Sequence, residues 1–313
     1  VKKIFIDGET GTTGLQVRQR LQRHPGIEIL SIDPADKRDP TAKRRLMQAA
    51  DITVLCLPDD AARESAGLAA DAGCRVLDAS TAHRTASGWV YGLPELAPEQ
   101  RTAIANAHRV SNPGCYPTGV VLLLRPLLTA GLLPPSGFYA INAVSGYSGG
   151  GKSLIERYES DGDRAPRFAA YGLDFSHKHL PEIQHWSGLT RQPVFIPSVG
   201  HYPQGMLIFI PVHTTEGISV AQLHDHLVRT YLGEAFVTMN PFNEIADESA
   251  PFITPHGLDN SNRIELSVFG SPDQRSGLLV AKLDNLGKGA SGAAVQNLNL
   301  MLGFPEHLGV DLH

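Results

Sequence analysis

Long apolar runs are missing from this sequence. No hydrophobic stretch reaches the roughly 18 residues that a membrane-spanning helix needs. Val1-Lys2-Lys3-Ile4 leads into a strand-like segment without the apolar core of a signal peptide. A soluble, cytoplasmic protein with no membrane partner is the expectation. Cysteine is scarce: Cys56, Cys74 and Cys115 are the three in the chain, and none forms a CxxC pair. That argues against a disulfide scaffold and against a four-thiolate zinc site. An excess of either charge is also lacking, with 27 Lys plus Arg against 32 Asp plus Glu and a net charge of -5. A nucleic-acid partner or a polybasic membrane contact is not expected from that balance. Internal repeats and low-complexity tracts are absent as well. What is present is 313 residues, 42% hydrophobic and 19% charged, with 31 glycines and 22 prolines. At about 100–200 residues per domain this is enough for two folded domains.

The first third alternates β-branched runs with helical stretches, which is the pattern of a parallel βαβ sheet. Strands are expected at 3–7, 27–32, 51–57 and 75–78, and helices at 13–23, 41–49 and 59–72. After Cys115 the pattern changes. A long apolar helix is expected over 118–130, then more amphipathic strands at 138–144, 194–196, 206–213 and 263–269, and a last helix over 289–302. Polar loops are expected at 33–40 and 161–167. The fold class is therefore α/β: a Rossmann-type parallel-sheet nucleotide domain, and an α+β catalytic and dimerisation domain with a mixed sheet.

Asp7-Gly8-Glu9-Thr10-Gly11-Thr12-Thr13-Gly14 follows the first strand and opens a helix. Glycines in such a turn let backbone approach a pyrophosphate, whose charge is met by amide N–H groups and the positive helix end. Tight strand-to-helix turns need glycine for steric reasons too, but a strand before, a helix after and Asp33 at the end of the next strand favour a dinucleotide. Asp33 suits a ribose 2′-hydroxyl and NAD; Lys37, Arg38, Lys43 and Arg44 downstream suit the 2′-phosphate of NADP, or form a solvated helix face. From these residues NAD and NADP both stay open.

Ser111-Asn112-Pro113-Gly114-Cys115-Tyr116-Pro117-Thr118-Gly119 puts one thiol in a Pro- and Gly-rich turn before the apolar helix. A helix N-terminus favours the thiolate, so Cys115 is the expected nucleophile, while Cys56 reads as a small core residue and Cys74 as an ordinary one at a strand edge. Beside a nicotinamide, a thiolate takes an activated acyl group as a thioester for reduction, or adds to an aldehyde for oxidation.

The segments SNPGCYPTG, DGETGTTG, HKHLPEIQ and LDNLGKGASGAAVQNLNLMLG together resemble the N-acetyl-gamma-glutamyl-phosphate reductases in their shorter form, across the whole chain. The related aspartate-semialdehyde dehydrogenases carry a different cysteine context. The resemblance implies NADPH-dependent reductive dephosphorylation of N-acetyl-gamma-glutamyl phosphate to N-acetyl-L-glutamate 5-semialdehyde in arginine biosynthesis. It assigns the nucleophile to Cys115, favours NADP (NADPH) as cofactor, and makes the chain a homodimer or homotetramer. It also brings the last helix back to the nucleotide domain, which then spans 1–115 and 284–313 with the catalytic and dimerisation domain at 116–283.

In the motif ending His177-Lys178-His179-Leu180-Pro181-Glu182, the Pro-Glu pair suits a helix start and places His179 near its N-cap. Either histidine could protonate the oxygen of a thiohemiacetal, and the family's histidine-rich motif matches both; His179 is narrowly preferred to His177. A metal held by this pair with His185 or Asp174 lacks a third ligand at convincing spacing, so no metal is expected. Cofactor contacts are expected from Gly8, Thr10, Gly11, Thr12, Thr13, Gly14, Asp33, Lys37, Arg38, Pro58, Ser80 and Asn285. Substrate or phosphate contacts are expected from Arg84, Asn112, Ser145, Gly146, Glu182 and His201. Arg84 is equally readable as a surface arginine. Lys288 is a further expected cofactor neighbour, with a capped helix of small residues as the structural alternative.

Gly146-Tyr147-Ser148-Gly149-Gly150-Gly151-Lys152-Ser153 matches the phosphate loop of ATPases. Such a loop needs a second strand ending in an acidic magnesium ligand, and 278–284 is interrupted by Lys282. Two alternatives therefore accompany the main reading: an aspartate-semialdehyde dehydrogenase-like reductase of another acyl phosphate, and an ATP-binding protein using 146–153.

Overall fold

The β-branched segments near the N-terminus pair side by side, each followed by a helix. The computed structural model describes residues 1–245 and 251–311. The first of its two units, Val1–Gly114 with Ala290–His313, runs β1 (Lys2–Asp7), α1 (Thr12–Gln22), β2 (Ile27–Leu30), α2 (Pro40–Ala49), β3 (Ile52–Leu55), α3 (Asp59–Asp71), β4 (Arg75–Asp78), β5 (Val90–Tyr91), α4 (Gln100–Asn106) and β6 (Arg109–Ser111). The strands form one parallel sheet in the order β2-β1-β3-β4-β6-β5. Ile4, Phe5, Ile6, Ile52, Val54, Leu55 and Leu77 are buried in it, as expected for strands covered on both faces. Phe5 pairs with Leu30 on one side and Thr53 on the other. The strand order reverses at β1, which opens a crevice beyond the carboxyl ends of β1 and β3.

The second unit, Cys115–Gly289, contains α5 (Cys115–Thr129), β7 (Ala140–Gly146), α6 (Lys152–Asp161), β8 (Phe168–Ala170), α7 (Leu180–Ser187), β9 (Val194–Gly200), β10 (Met206–His213), α8 (Val220–Thr230), β11 (Val237–Met239), β12 (Ile264–Gly270) and β13 (Ser276–Leu283). Its sheet is mixed, in the order β11-β12-β13-β10-β7-β9-β8: β7 and β9 run parallel, while β10 is antiparallel to both β7 and β13. Helix α5 is apolar nearly all round and buried from Tyr116 to Leu124, the signature of a helix inside a core. Gly119 allows it to lie close on the sheet, since a Cβ there would come within 2.6 Å of Ile208 Cδ1 and 3.0 Å of Ala281 Cβ.

Three expectations about local structure need correction. Helix α5 starts at Cys115 and not at 118, because Pro117 in a first turn lacks only an amide that would have no helical partner anyway. From 278 the segment is uninterrupted strand up to Leu283, and Lys282 turns its ammonium to Glu265 at 3.5 Å. Residues 284–289, grouped with the tail above, belong to the second unit. The buried Asp284 carboxylate accepts from the amides of Asn260 at 2.6 Å and Leu286 at 3.0 Å, which ties this stretch to the end of β13. The last two residues of the 284–313 segment lie outside the described residues.

The tail carries α9 (Gly292–Leu302), which packs within the first unit on α1 and α4. Buried Arg20 of α1 donates to Ser291 Oγ and to the carbonyl of Val310, each at 3.0 Å. His24 contacts Asn299 Oδ1 at 3.1 Å through Nε2 and accepts from the Gly26 amide at Nδ1, so this network fits the neutral ring. Burial lowers its pKa, against a smaller opposing effect of the Asn299 hydrogen bond. The unfolded chain therefore takes up this proton before the folded one does. The stability due to His24 is complete above about pH 6.5 and is lost as pH falls through that value toward the lowered folded pKa. Melting temperatures from pH 7.5 to 5 should drop more steeply for the native chain than for His24→Gln. Parallel curves would refute this assignment.

Candidate active site

In the first unit the glycine loop closes tightly over the end of β1. Gly8 has φ +91° and a Cβ there would lie 2.3 Å from the Cys56 carbonyl oxygen, so backbone of β1 and β3 meet where only glycine fits. A Cβ on Gly14 would lie 2.3 Å from the Gly8 carbonyl oxygen. Gly11 is the N-cap of α1 and no side chain caps that end. The first-turn amides of Thr12, Thr13 and Gly14 are thus donors at a positive helix end, beside half-buried Thr12 and Thr13 and exposed Thr10. Pro58 is the exposed N-cap of α3. These groups fit a dinucleotide pyrophosphate at the crevice beyond β1 and β3.

The basic cluster after Asp33 is divided by the fold. Asp33 itself caps the turn Pro34–Asp36 by accepting from the Ala35 amide at 2.9 Å. Lys43 forms a 2.8 Å ion pair with Asp7, which also accepts from Ser65 Oγ at 2.6 Å, and Arg44 pairs with Asp71. Half-buried Lys37 and exposed Arg38 remain by the end of β2. Sequence reasoning missed Arg18, which reaches both Glu9 at 2.6 Å and Ser31 Oγ at 3.2 Å. Its signal was available: Arg18 stands four residues after Gly14, one helical turn along α1.

The turn after β4 is organised by Asp78, buried completely. It accepts from Ser80 N and Oγ and lies 2.6 Å from His83 Nδ1, while His83 stacks on Trp89. Ser80, expected at the cofactor, donates its hydroxyl to Asp78 and accepts from the Ala82 amide: it shapes the turn. Arg84 is neither a surface arginine nor an open anion contact. It is buried, donating through Nε to the Asn112 carbonyl at 3.0 Å and through its guanidinium to Ala79. Asn112 in turn donates to the Ala290 carbonyl and accepts from Asn297. Arg84 and Asn112 therefore brace the chain just before Cys115.

In the second unit Cys115 is the half-buried first residue of α5, where the helix dipole favours an anion. The other thiols sit where the thiolate is disfavoured. Burial, with Asp78 and Asp7 nearby, pushes Cys56 up to about 12, and burial also raises Cys74. Tyr116, which the sequence reading passed over, is the hub of the site. Its hydroxyl meets Tyr171 Oη at 3.2 Å and donates to the Ser198 carbonyl at 3.3 Å. Its ring lies edge-on to His177, His179 and Phe195, at 6.1, 5.8 and 5.1 Å. Burial, and then the Cys115 charge, raise Tyr171 to about 12 once the opposing Tyr116 hydrogen bond is counted. Tyr171 lies 5.8 Å from the His177 ring, so it joins Tyr116 to the histidines.

Both histidines fall in this cluster, 4.8 Å apart, and buried His179 is the N-cap of α7. Burial and the neighbouring Lys178 hold His177 down at about 4, so it is neutral near pH 7. His177 Nδ1 accepts from the His179 amide at 3.1 Å, which assigns the proton to Nε2. His177 is thus a neutral N–H donor suited to a developing oxyanion.

Other expected contacts take structural parts. Asn285 donates to Ser148 Oγ and accepts from the Gly205 amide, both at 2.9 Å, so its side chain braces loops of the second unit. Lys288 is completely buried, its ammonium 5.4 Å from the centre of the Phe236 ring. His201 packs on Tyr158. Glu182 is buried in the first turn of α7, and Ser145 is buried at the end of β7 and donates to the Gly146 carbonyl. Backbone bonding engages four amides of the phosphate-loop pattern. The amides of Gly146, Tyr147, Ser148 and Gly151 donate to the carbonyls of Gly205, Tyr202, Pro203 and Ser148, and exposed Lys152 faces Glu156. Amides already paired cannot cradle a phosphate. Among the described residues no group of three or more His, Cys, Asp or Glu could hold a metal ion, and no helix is long and apolar enough to cross a membrane.

Comparison with known proteins follows the same division. Residues 115–285 match the semialdehyde dehydrogenase dimerisation domain and residues 36–104 the semialdehyde dehydrogenase NAD binding domain. The chain is 49% identical to N-acetyl-gamma-glutamyl-phosphate reductase 2 of Nostoc sp. (strain PCC 7120), over 98% of this chain and 99% of that protein. It is 47% identical to N-acetyl-gamma-glutamyl-phosphate reductase 2 of Pseudomonas putida (strain KT2440 among its designations), over 96% of each. Among solved structures, aspartate semialdehyde dehydrogenase from Francisella tularensis superposes with a TM-score of 0.72 at 14% identity, covering 96% of this chain and 100% of that one. At such identity the likeness speaks for the fold alone.

Proposed function

The chain belongs to the semialdehyde dehydrogenase family, in its N-acetyl-gamma-glutamyl-phosphate reductase branch, and on that footing we propose that it reduces N-acetyl-gamma-glutamyl phosphate to N-acetyl-L-glutamate 5-semialdehyde with NADPH, through a thioester on Cys115, as a step of arginine biosynthesis in the cytoplasm. The observation that carries the reading is Cys115 at the head of the buried helix α5, with Tyr116 holding two histidines and Tyr171 around it.

The Cys115 thiolate attacks the acyl carbon; the C–S bond forms, the bond from carbon to the phosphate oxygen breaks, and inorganic phosphate leaves with the electron pair. The glycine loop of the first unit would hold a reduced nicotinamide dinucleotide, whose chemistry is hydride donation, and the Cys115 thioester would be the acceptor whose reduction gives a thiohemiacetal. His177 Nε2–H stabilises the oxyanion in both steps, and His179 handles the proton. The C–S bond then breaks, releasing aldehyde and thiolate. Lys37 and Arg38, with Arg18, are the groups proposed to favour the 2′-phosphate of NADP. Matching of the dimerisation domain supports a homo-oligomer.

The test runs the reaction backward with inorganic phosphate, offering N-acetylglutamate semialdehyde or aspartate semialdehyde with NADP or NAD. Turnover should be at least about 100-fold higher in kcat/KM for the N-acetylated substrate with NADP. A preference for aspartate semialdehyde, or no phosphate-dependent reduction of NADP, would refute the assignment.

A further inference from the structure

We infer that Gly289 is a positioning residue for the nucleophile: the absence of a side chain at 289 lets the backbone at Gly289 seat directly against Cys115 and fix where its side chain stands. This rests on the proposed role of Cys115. A Cβ built on Gly289 would lie 2.7 Å from Cys115 Cβ and 3.2 Å from Cys115 Cα, closer than carbon atoms tolerate without movement. The turn at Gly289 is π-helical, a rare conformation that concentrates at functional sites.

Neither side of the contact has room to retreat. On the turn, the Gly289 amide donates to the Asp284 carbonyl at 2.9 Å, and the Asp284 carboxylate is itself engaged by two backbone amides. Gly287 is pressed against the Ser261 carbonyl, where a Cβ would overlap at 1.9 Å. On the helix, Gly119 seats α5 against Ile208 and Ala281, and Tyr116 is tied to Ser198. An added methyl at 289 would therefore displace the side chain lying between these two rigid pieces, which is Cys115. Catalysis through a thiolate depends on that placement, since an ångström of error in a reacting atom costs rate out of proportion to its cost in stability.

Gly289→Ala and Gly119→Ala separate positioning from packing, because both overfill the surroundings of α5 and only the first touches the thiol. The readouts on the full chain are the pH profile of iodoacetamide alkylation, followed by mass spectrometry, together with the melting temperature and the semialdehyde assay. Near neutral pH the label reports Cys115, because Cys56 and Cys74 are both raised by burial. Gly289→Ala should change the alkylation rate at Cys115 by about tenfold or more and lower kcat far more than it raises KM. Gly119→Ala should lower the melting temperature and leave the alkylation profile as it is. If Gly289→Ala does not fold, Cys115→Gly is added to remove the opposing Cβ, and the double variant should regain stability. Unchanged alkylation in Gly289→Ala, an equal change in Gly119→Ala, or a double variant no more stable than the single would each overturn the inference. The two readings fail separately: turnover surviving Cys115→Ser refutes the reaction, whereas native-like alkylation of Gly289→Ala refutes only the positioning role.

Discussion

Cys115→Ser is expected to lower kcat by on the order of 10⁴-fold while NADPH binds with nearly native affinity. Three effects act in the same direction. A serine hydroxyl at the head of α5 stays protonated where the helix dipole helps a thiol to ionise. The acyl-oxygen ester it could form is less electrophilic toward hydride than a thioester. His177 cannot compensate as a base, since it is neutral with Nδ1 already committed to the His179 amide and its proton on Nε2. Steric change is small, because Tyr116 and not Cys115 holds the surrounding rings. Single-turnover kinetics with the acyl phosphate, alongside titration of NADPH fluorescence, separates the two readouts. A serine variant within tenfold of the native rate would show that no thioester lies on the path.

Gly8→Ala should weaken NADPH binding by more than about 100-fold. The new methyl would meet the Cys56 carbonyl at 2.3 Å while the backbone is held at φ +91°, a conformation that costs an L-residue roughly 1–2 kcal/mol before any clash. Relief requires moving β1 from β3 or opening the loop, and either moves the α1 amides from the pyrophosphate they are proposed to meet. Titration of NADPH with the purified variant measures the loss, and alkylation of Cys115 at a native rate verifies that the second unit is intact. Native affinity for NADPH in Gly8→Ala would mean that the dinucleotide does not use this loop.

The legible parts of the fold were those set by local pattern. Strand β1, the alanine-rich α3 and the amphipathic β10 follow from periodicity within ten residues or so, because burial of one face is written into spacing. Proline and glycine spacing pointed to Cys115 in the same way. The start of α5 was misjudged because Pro117 looks like a barrier until it is placed in a first turn, where its missing amide costs nothing. The phosphate-loop pattern of 146–153 is a true match in letters. Three of its amides are taken by carbonyls at 202, 203 and 205, which no local pattern reveals. Ser80 and Arg84 were assigned to ligands from residue type and place in the chain, and Asn285 from the family resemblance; their partners, Asp78, Asn112 and Ser148, are set by loops meeting in the fold.

By itself the sequence determined the class of fold, the alternation that builds a parallel sheet, the glycine loop and the place of Cys115 in a Pro- and Gly-rich turn at an apolar helix, since each depends on steric and periodic rules acting along a few turns of chain. Only the tertiary structure decided which cations of the cluster after Asp33 are taken by Asp7 and Asp71, that Tyr116 gathers the histidines, and that Gly289 abuts Cys115. Those are contacts between distant segments, and their energies depend on distance and burial, which residue order does not contain.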